Sequence, residues 1–293
     1  MVMGMVGAGC MVLPQVTGTS TPEAVLPDCP VLETWVPVRP DGGSTPAGCA
    51  AGAGDILVLN TSGELFRFDP LLLAFTPVGT PRCAGAEGAE AFAMAQARDG
   101  APWLVYTSGV LVRATSPSSC VDTGWVPGTG GMEVFAMAFA GSADRDDVLL
   151  VAGDTHASWG TRPARLGRVN PASLVLQPLC LLPSAPELTA TGDGRAWAFF
   201  PMESPPRFRP VDPLLGTLGR AVELPTLSGT PTHWAVAFHG GALWIFLQRV
   251  GDFSTGVYRV DVDAPSPRAE QVVRHDTTLH VVGAAVSPCA PLR

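Results

Sequence analysis

The hydrophobic positions of this chain fall into short apolar runs separated by polar turns, and the runs recur in groups. The first run of each group opens with a Glu or His followed by small apolar residues, as at residues 90–95, 133–138, 187–192, 233–238 and 280–285. A bulkier run, a run that ends in an Asp or Asn turn, and a weaker fourth run follow. Successive groups begin roughly 43 to 54 residues apart, and four strands in each such interval are typical of a β-propeller blade.

The two ends of the repeat region predict how the ring closes. The group that starts at Asp55 lacks a first strand, and the group that starts at His280 contains a first strand alone. Pairing of these two pieces completes one blade and removes an open sheet edge. The sequence therefore predicts an all-β fold, a single β-propeller of five blades with four antiparallel strands each, over residues 55–293. A sixth blade is the alternative if Val31–Val38 supplies a strand.

Composition agrees with a folded chain of many short strands. Hydrophobic residues make up 46% of the chain and charged residues 15%, which argues against disorder. The 33 Gly and 29 Pro punctuate the apolar runs, where turns between strands need them. Trp103, Trp197 and Trp244 recur in the second strands, and we expect these large side chains to fill the core between blades.

The charge balance excludes one class of partner. The formal net charge is −8 and no basic stripe is present, so nucleic-acid binding is not expected. No run of 18 apolar residues exists that would predict a membrane-spanning helix. We expect a monomer whose partner is a protein, a small molecule or a glycan.

Cysteines predict the compartment. The chain has seven cysteines, and the six that follow Cys10 are able to form three disulfides, which implies an oxidising environment. These six are Cys29, Cys49, Cys83, Cys120, Cys180 and Cys289. Six cysteines allow 15 pairings. We predict Cys29–Cys49 from proximity along the chain, and Cys83–Cys120 from equivalent places on neighbouring repeats.

The N-terminal region is interpreted as an export and tether segment. Small residues precede Cys10 much as they precede the cysteine of a bacterial lipoprotein, so residues 1–10 are read as a truncated signal that ends at a lipidation site. Because the stretch before Cys10 is short and carries no basic residue, an ordinary thiol is the alternative. Residues 11–54, rich in Pro, Thr and Gly, are predicted to form a tether and a disulfide-pinned lead-in. The expected location is periplasmic, anchored to the outer membrane or extracellular in a bacterium, with a lipid anchor as the membrane contact.

One group of residues suggests a ligand or metal site. The residues that open the five first strands are Glu90, Glu133, Glu187, His233 and His280. First strands of propeller blades surround the central channel, so equivalent positions would form a ring at one mouth of it. Carboxylates and imidazoles suit a divalent metal such as zinc, manganese or iron. A solvated polar rim without a ligand is the alternative.

Three segments carry a family resemblance, namely residues 133–139, 186–194 and 282–291. Through them, residues 55–293 resemble uncharacterised, exported, lipoprotein-like β-propeller proteins of myxobacteria. The resemblance implies export and a propeller, and it brings no activity with it. The leading hypothesis is a non-enzymatic binding or interaction module. The alternatives are a glycosidase-like or metal-dependent hydrolase at the Glu/His ring and a purely structural envelope protein.

Overall fold

The computed structural model describes residues 25–35, 37, 49–50, 52–141, 147–155, 163–275 and 277–293. It confirms the predicted fold class, because 20 strands within these described ranges form five separate sheets of four antiparallel strands each. The innermost strand of every sheet contacts the innermost strands of its two neighbouring sheets, which closes the five sheets into a ring. The molecule is therefore a five-bladed β-propeller.

The strands are numbered in chain order, and each blade is given from the central channel outward. Blade 1 consists of β20 (Val281–Ala285), β1 (Ile56–Asn60), β2 (Leu65–Asp69) and β3 (Ala74–Gly79). Blade 2 consists of β4 (Ala91–Gln96), β5 (Pro102–Tyr106), β6 (Leu111–Ser116) and β7 (Ser119–Asp122). Blade 3 consists of β8 (Val134–Ala140), β9 (Val148–Asp154), β10 (Ala164–Val169) and β11 (Leu176–Leu182).

The last two blades follow the same order. Blade 4 consists of β12 (Glu187–Ala190), β13 (Ala196–Phe200), β14 (Arg207–Val211) and β15 (Val222–Glu223). Blade 5 consists of β16 (Pro231–His239), β17 (Ala242–Arg249), β18 (Gly256–Asp261) and β19 (Glu270–Val273). In the part of the chain that the structure describes, the single-turn 3-10 helices Thr129–Gly131 and Pro225–Leu227 lie in the connections between blades.

The ring closes as the sequence predicts. The C-terminal strand β20 pairs antiparallel with β1, with Val58 opposite Ala284 and Leu59 opposite Gly283. A sixth blade is not formed by the lead-in residues that the structure describes. Val31 makes one isolated parallel bridge to Leu218 at the outside of blade 4, and Val38 lies outside the described residues.

The innermost strands carry small side chains at many positions because five strands converge on one axis, whereas their bulky residues, such as Phe139 and Phe238, pack between blades. Ala93, Ala136, Ala235 and Ala284 are all buried there. Every residue of β8 is buried, which shows that this strand packs against neighbours on both of its faces. Bulky side chains would keep the strands from approaching this closely, so the alanine-rich first run of each repeat has a direct structural cause.

Aromatic side chains fill the spaces between blades. Trp103 of blade 2 packs edge to face on Phe139 of blade 3, with ring centroids 5.6 Å apart. Trp197 of blade 4 stacks on Phe238 of blade 5 at 4.6 Å. Trp244 of blade 5 lies 5.5 Å from Phe68 of blade 1. The prediction that the recurring tryptophans form the core between blades is confirmed, and each aromatic pair adds about 0.5–1.5 kcal/mol beyond the area that it buries.

The Asp and Asn turns that end the third strands share one local geometry. The side chain of Asp69 accepts hydrogen bonds from the backbone N–H groups of the second and third residues after it, at 2.8 and 3.0 Å. Asn170 and Asp212 make the same two bonds in blades 3 and 4. Such side chains replace the backbone partners that a strand loses at a turn, and they therefore end the strand at a defined residue.

Three disulfides brace the ring and confirm that the six cysteines pair. Cys83–Cys120 is confirmed, although both residues belong to blade 2, where Cys83 precedes β4 and Cys120 lies in β7. The other two are Cys29–Cys180 and Cys49–Cys289. Disulfides of this number indicate an oxidising, exported environment.

The predicted pairing of Cys29 with Cys49 is wrong. The lead-in lies alongside β11, where Cys29 N donates to Leu181 O and Leu181 N donates to Pro27 O, both at 2.8 Å. This parallel bridge places the Cys29 side chain beside Cys180 of the same strand. Proximity along the chain was a poor guide because tertiary pairing of the lead-in, rather than a local loop, brings the sulfurs together.

Candidate functional site

The five predicted site residues do not lie at one level of the channel. Glu90, Glu133 and His280 immediately precede innermost strands. Glu187 instead is the first residue of β12 and pairs with Phe199, and His233 lies within β16 opposite Gln248. The sequence alignment of the repeats was therefore out of register in blade 4.

Backbone pairing shows which of these positions are equivalent. The carbonyl of Glu90 accepts a hydrogen bond from Thr107 N at 2.9 Å, and the carbonyl of His280 accepts one from Thr61 N at 3.0 Å. Both pairs join the start of an innermost strand to the end of the next strand. Glu90 and His280 therefore occupy the same place in blades 2 and 1.

A cavity of about 220 Å³ opens at this end of the channel. Three of the predicted residues line it, namely Glu90, Glu187 and His233. His280 is close by, with its ring centroid 5.7 Å from that of His233. Glu133 is exposed and does not belong to the lining. The structure thus brings four of the five residues together and sets one apart.

Glu187 is the most unusual group of the cavity. Its side chain is buried, with 2% of its surface exposed, and its Oε1 atom has no hydrogen-bond partner. Burial raises the pKa of Glu187 well above the usual value, although a hydrogen bond from the backbone of Leu188 opposes the shift. A buried carboxyl group without a compensating charge favours its protonated form, and an unpartnered buried oxygen is a costly feature that native structures rarely keep without a reason.

The two histidines share one neighbouring amide, that of Gln248. His280 Nδ1 lies 2.8 Å from Gln248 Oε1, and Gln248 is the cross-strand partner of His233. Burial and the neighbouring His280 lower the pKa of His233, whereas Gln248 and Glu90 oppose the shift. His233 Nδ1 is buried and lacks a partner. The neutral imidazole is therefore the favoured form of His233, and its ring presents an unused polar atom.

The divalent-metal hypothesis finds no donor set in the part of the chain that the structure describes. No group of three or more His, Cys, Asp or Glu side chains there is arranged to hold a metal ion. The separation of Glu133 from the cavity and the deeper level of Glu187 explain why the predicted ring does not provide such a group.

Sequence reasoning missed the neutral members of the site. Gln248, Thr61, Thr107 and Thr232 supply amide and hydroxyl groups, and Phe92 and Trp234 supply apolar walls. One signal was present in the sequence, because Thr61 and Thr107 follow the second strands of blades 1 and 2 at the same place. Gln248 was also visible as a polar residue near the end of the apolar run of β17.

We expect the buried carboxyl group to make stability depend on pH. The unfolded chain ionises Glu187 near the ordinary pKa, whereas the folded chain holds the proton to higher pH. The free energy of unfolding should therefore fall as pH rises through this window, by at most about 1.4 kcal/mol per pH unit. Glu187→Gln should remove that part of the slope, as measured by urea unfolding between pH 4.5 and pH 8.

A matched control is Glu270→Gln, since Glu270 is an exposed carboxyl group in β19. This variant should keep the slope of the unchanged protein. Equal slopes for Glu187→Gln and the unchanged protein would show that Glu187 is not the source.

Comparison with known proteins finds distant structural similarities only. No protein-family model and no curated protein sequence matches this chain. Among solved structures, the chain is similar to apo AztD from Citrobacter koseri, with 12% identity, a TM-score of 0.37, and coverage of 83% of this chain and 75% of that one. It is also similar to the Dos1 propeller, with 9% identity, a TM-score of 0.44, and coverage of 82% and 71%.

A third similar structure is an exo-1,5-alpha-L-arabinanase from a bovine ruminal metagenomic library, with 10% identity and a TM-score of 0.38. The alignment covers 67% of this chain and 82% of that one. At such identities and TM-scores these similarities assign no function to this chain, and propellers serve many unrelated functions.

The membrane-anchoring hypothesis lies outside the structural information. Cys10 and residues 1–24 are outside the described residues. Within the described part of the chain, no helix is long and apolar enough to cross a membrane.

Proposed function

We propose that this chain is an exported, non-enzymatic binding module that holds a small polar ligand in the cavity at the channel mouth. The observation that carries the proposal is Glu187, a buried carboxyl group that lines the cavity and whose Oε1 atom has no partner. A ligand that hydrogen-bonds this oxygen would offset the cost of burying it, which is about 1–3 kcal/mol for an unsatisfied polar group.

A second polar atom supports the same conclusion. His233 Nδ1 is also buried and unpartnered, and it belongs to the same lining. Apolar walls from Phe92 and Trp234 complete a site with few polar groups among apolar ones. This mixture is the usual composition of small-molecule sites in proteins.

Export and a lipid anchor at Cys10 belong to the same proposal. The three disulfides support an oxidising compartment. We infer that the module acts as a monomer in a bacterial periplasm or at the cell surface. Its resemblance to lipoprotein-like propellers of myxobacteria implies the export. A membrane contact would then run through the lipid and the tether, and it would leave the channel mouth open to its ligand.

The test uses Trp234 as a reporter inside the cavity. Protein labelled with 5-fluorotryptophan gives one fluorine signal for each tryptophan, and Trp234→Phe identifies the signal of Trp234. A library of small polar fragments is then screened by fluorine NMR. We expect hits that shift the Trp234 signal in a saturable way, with dissociation constants in the micromolar to millimolar range, and that bind at least tenfold more weakly to Glu187→Leu.

Trp125 provides a control, because it is a buried tryptophan that does not belong to the cavity lining. Its signal should stay unchanged. A screen in which no fragment shifts Trp234, or in which Glu187→Leu binds equally well, would contradict the proposal. Recovery of a hydrolysed fragment would support the hydrolase alternative instead and would overturn the non-enzymatic function.

A further inference from the structure

We propose, building on the binding function above, that the ligand is a neutral, chain-like carbohydrate. One sugar ring occupies the channel-mouth cavity, and the next rings follow a groove between blades 1 and 2. Four features of the site carry this inference: its hydrogen-bonding groups, its charges, its aromatic walls and its shape.

The hydrogen-bonding groups of the cavity include both donors and acceptors. Thr107 Oγ1 accepts a hydrogen bond from Glu90 N at 3.1 Å, so its hydroxyl hydrogen is able to donate to a ligand. Thr232 Oγ1 donates to Gln248 O at 3.2 Å, so its lone pairs are able to accept. A sugar hydroxyl both donates and accepts and is able to satisfy either kind of group, whereas an ammonium group only donates.

The two unpartnered atoms fit the same ligand. Protonated Glu187 offers one O–H donor and an acceptor oxygen, and the neutral ring of His233 offers Nδ1 as donor or acceptor according to its tautomer. Both groups are uncharged in the forms that burial favours. Burying a charged group costs free energy because the charge loses its hydration. A neutral ligand with hydroxyl groups avoids this cost when it binds in the cavity.

Formal charges argue against an acidic ligand. Among the described residues, the cavity lining contains the carboxyl group of Glu90 beside the protonated Glu187 and includes no Arg, and the chain has no Lys at all. A carboxylate or phosphate group would therefore approach Glu90 without a cationic partner in the lining. Such an arrangement opposes binding of anions.

Aromatic side chains provide the apolar part of the site. Phe92 and Trp234 both line the cavity, and each is partly buried by the core beneath it. The faces of a sugar ring carry C–H groups, which are able to pack on an aromatic ring while the hydroxyl groups point to the rim. Rigid aromatic surfaces of this kind add binding energy at a low entropic cost.

The shape of the site indicates an elongated ligand. The cavity of about 220 Å³ is smaller than the ~300–1,000 Å³ typical of ligand pockets. It adjoins a surface groove of about 560 Å³, and the two share Thr61, Glu90 and Ala91 as lining residues. A molecule that fills the cavity is thus able to continue outward along the groove.

The groove is lined by the same kinds of groups as the cavity. Ser62, Thr80 and Tyr106 supply further hydroxyl groups along it. Arg82 is the one cationic side chain among the described residues that line the groove, which also include Glu87 and Glu90. The groove therefore offers hydroxyl partners to further sugar units without a net positive charge that would select an acidic polymer.

The test measures binding of defined saccharides by calorimetry, with the Trp234 fluorine signal as the site reporter. The neutral probes are maltotriose, cellotriose, mannotriose and xylotriose, each compared with its monosaccharide. The charged probes are trigalacturonate, a glucosamine trimer and choline. We expect at least one neutral trisaccharide to bind at least tenfold more tightly than its monosaccharide and than every charged probe.

Variants separate the roles of the cavity and the groove. Glu187→Gln keeps a neutral donor and acceptor, so it should retain saccharide binding within about threefold, whereas Glu187→Leu should lose at least tenfold. Thr80→Trp narrows the groove at an exposed residue, and it should abolish the tenfold advantage of the trisaccharide over its monosaccharide.

The outcomes distinguish this inference from the proposed function. Binding of choline or the glucosamine trimer at Trp234, with loss in Glu187→Gln and no binding of neutral sugars, would overturn the carbohydrate inference and support a cavity for cations. Preferred binding of trigalacturonate would overturn it as well, since it would show an anion site. If neither these probes nor the fragment library shifts Trp234, both the inference and the proposed function fail.

Discussion

A chain that ends at Leu279 should fail to fold into a stable ring. The missing segment contains β20, which is the innermost strand of blade 1 and pairs with β1. It also contributes the buried side chains of Val281, Ala284 and Val286 and one partner of a disulfide. Losing these contacts should cost about 5–10 kcal/mol, which equals the whole stability of many domains.

Size-exclusion chromatography and circular dichroism measure this effect. We expect the shortened chain to be aggregated or expanded and to show no cooperative thermal unfolding. A synthetic peptide that spans residues 280–293 should restore cooperative unfolding when it is added, because it supplies the missing strand in trans. A shortened chain that melts cooperatively at an unchanged temperature would show that the ring does not depend on this closure.

Removing the Cys49–Cys289 disulfide should have the second-largest effect. This bridge joins residues 240 positions apart and ties the lead-in to the segment after the closing strand, whereas Cys83–Cys120 spans 37 positions within blade 2. A cross-link that closes a longer loop restricts the unfolded chain more. The chain-entropy relation predicts that the longer bridge contributes about 1.7 kcal/mol more than the shorter one at 25 °C.

The measurement compares two double variants, Cys49→Ser with Cys289→Ser and Cys83→Ser with Cys120→Ser. Each should lose about 2–5 kcal/mol in urea unfolding, and the first should lose more. The shorter bridge is the matched control, since both variants replace two sulfurs by hydroxyl groups. An equal or larger loss for Cys83 and Cys120 would show that local packing, rather than loop length, determines the contribution of these bridges.

The channel-mouth site depends on a register that the repeats did not reveal. Glu90 and Glu187 open similar sequence segments, and the alignment placed them at the same depth. The turn at residues 191–194 contains Asp193 and Gly194, much as the turn at 97–100 contains Asp99 and Gly100. Counted back from these turns, Glu187 lies deeper in its strand than the start of β4. The sequence alignment matched Glu90 with Glu187 because both are glutamates. The position of the turn, however, sets the register of each innermost strand.

The register of β12 determines the environment of the Glu187 carboxyl group. A carboxyl group at the rim would be solvated and ionised like any surface acid. At its deeper place, Glu187 lines the cavity but is buried, its pKa is raised, and its Oε1 atom is buried without a partner. The position that the sequence alignment misjudged is therefore the one on which the proposed function rests.

The sequence by itself determined the propeller, the number of blades and the way the ring closes. These features depend on local signals, since alanine-rich runs, recurring tryptophans and Asp turns repeat along the chain and each acts within its own blade or on the next. Only the tertiary structure showed that Cys29 pairs with Cys180 and that Glu187 and His233 line the same cavity. These contacts join residues far apart in the chain, and their geometry follows from strand registers and from the packing of the blades and the lead-in, which no local pattern encodes.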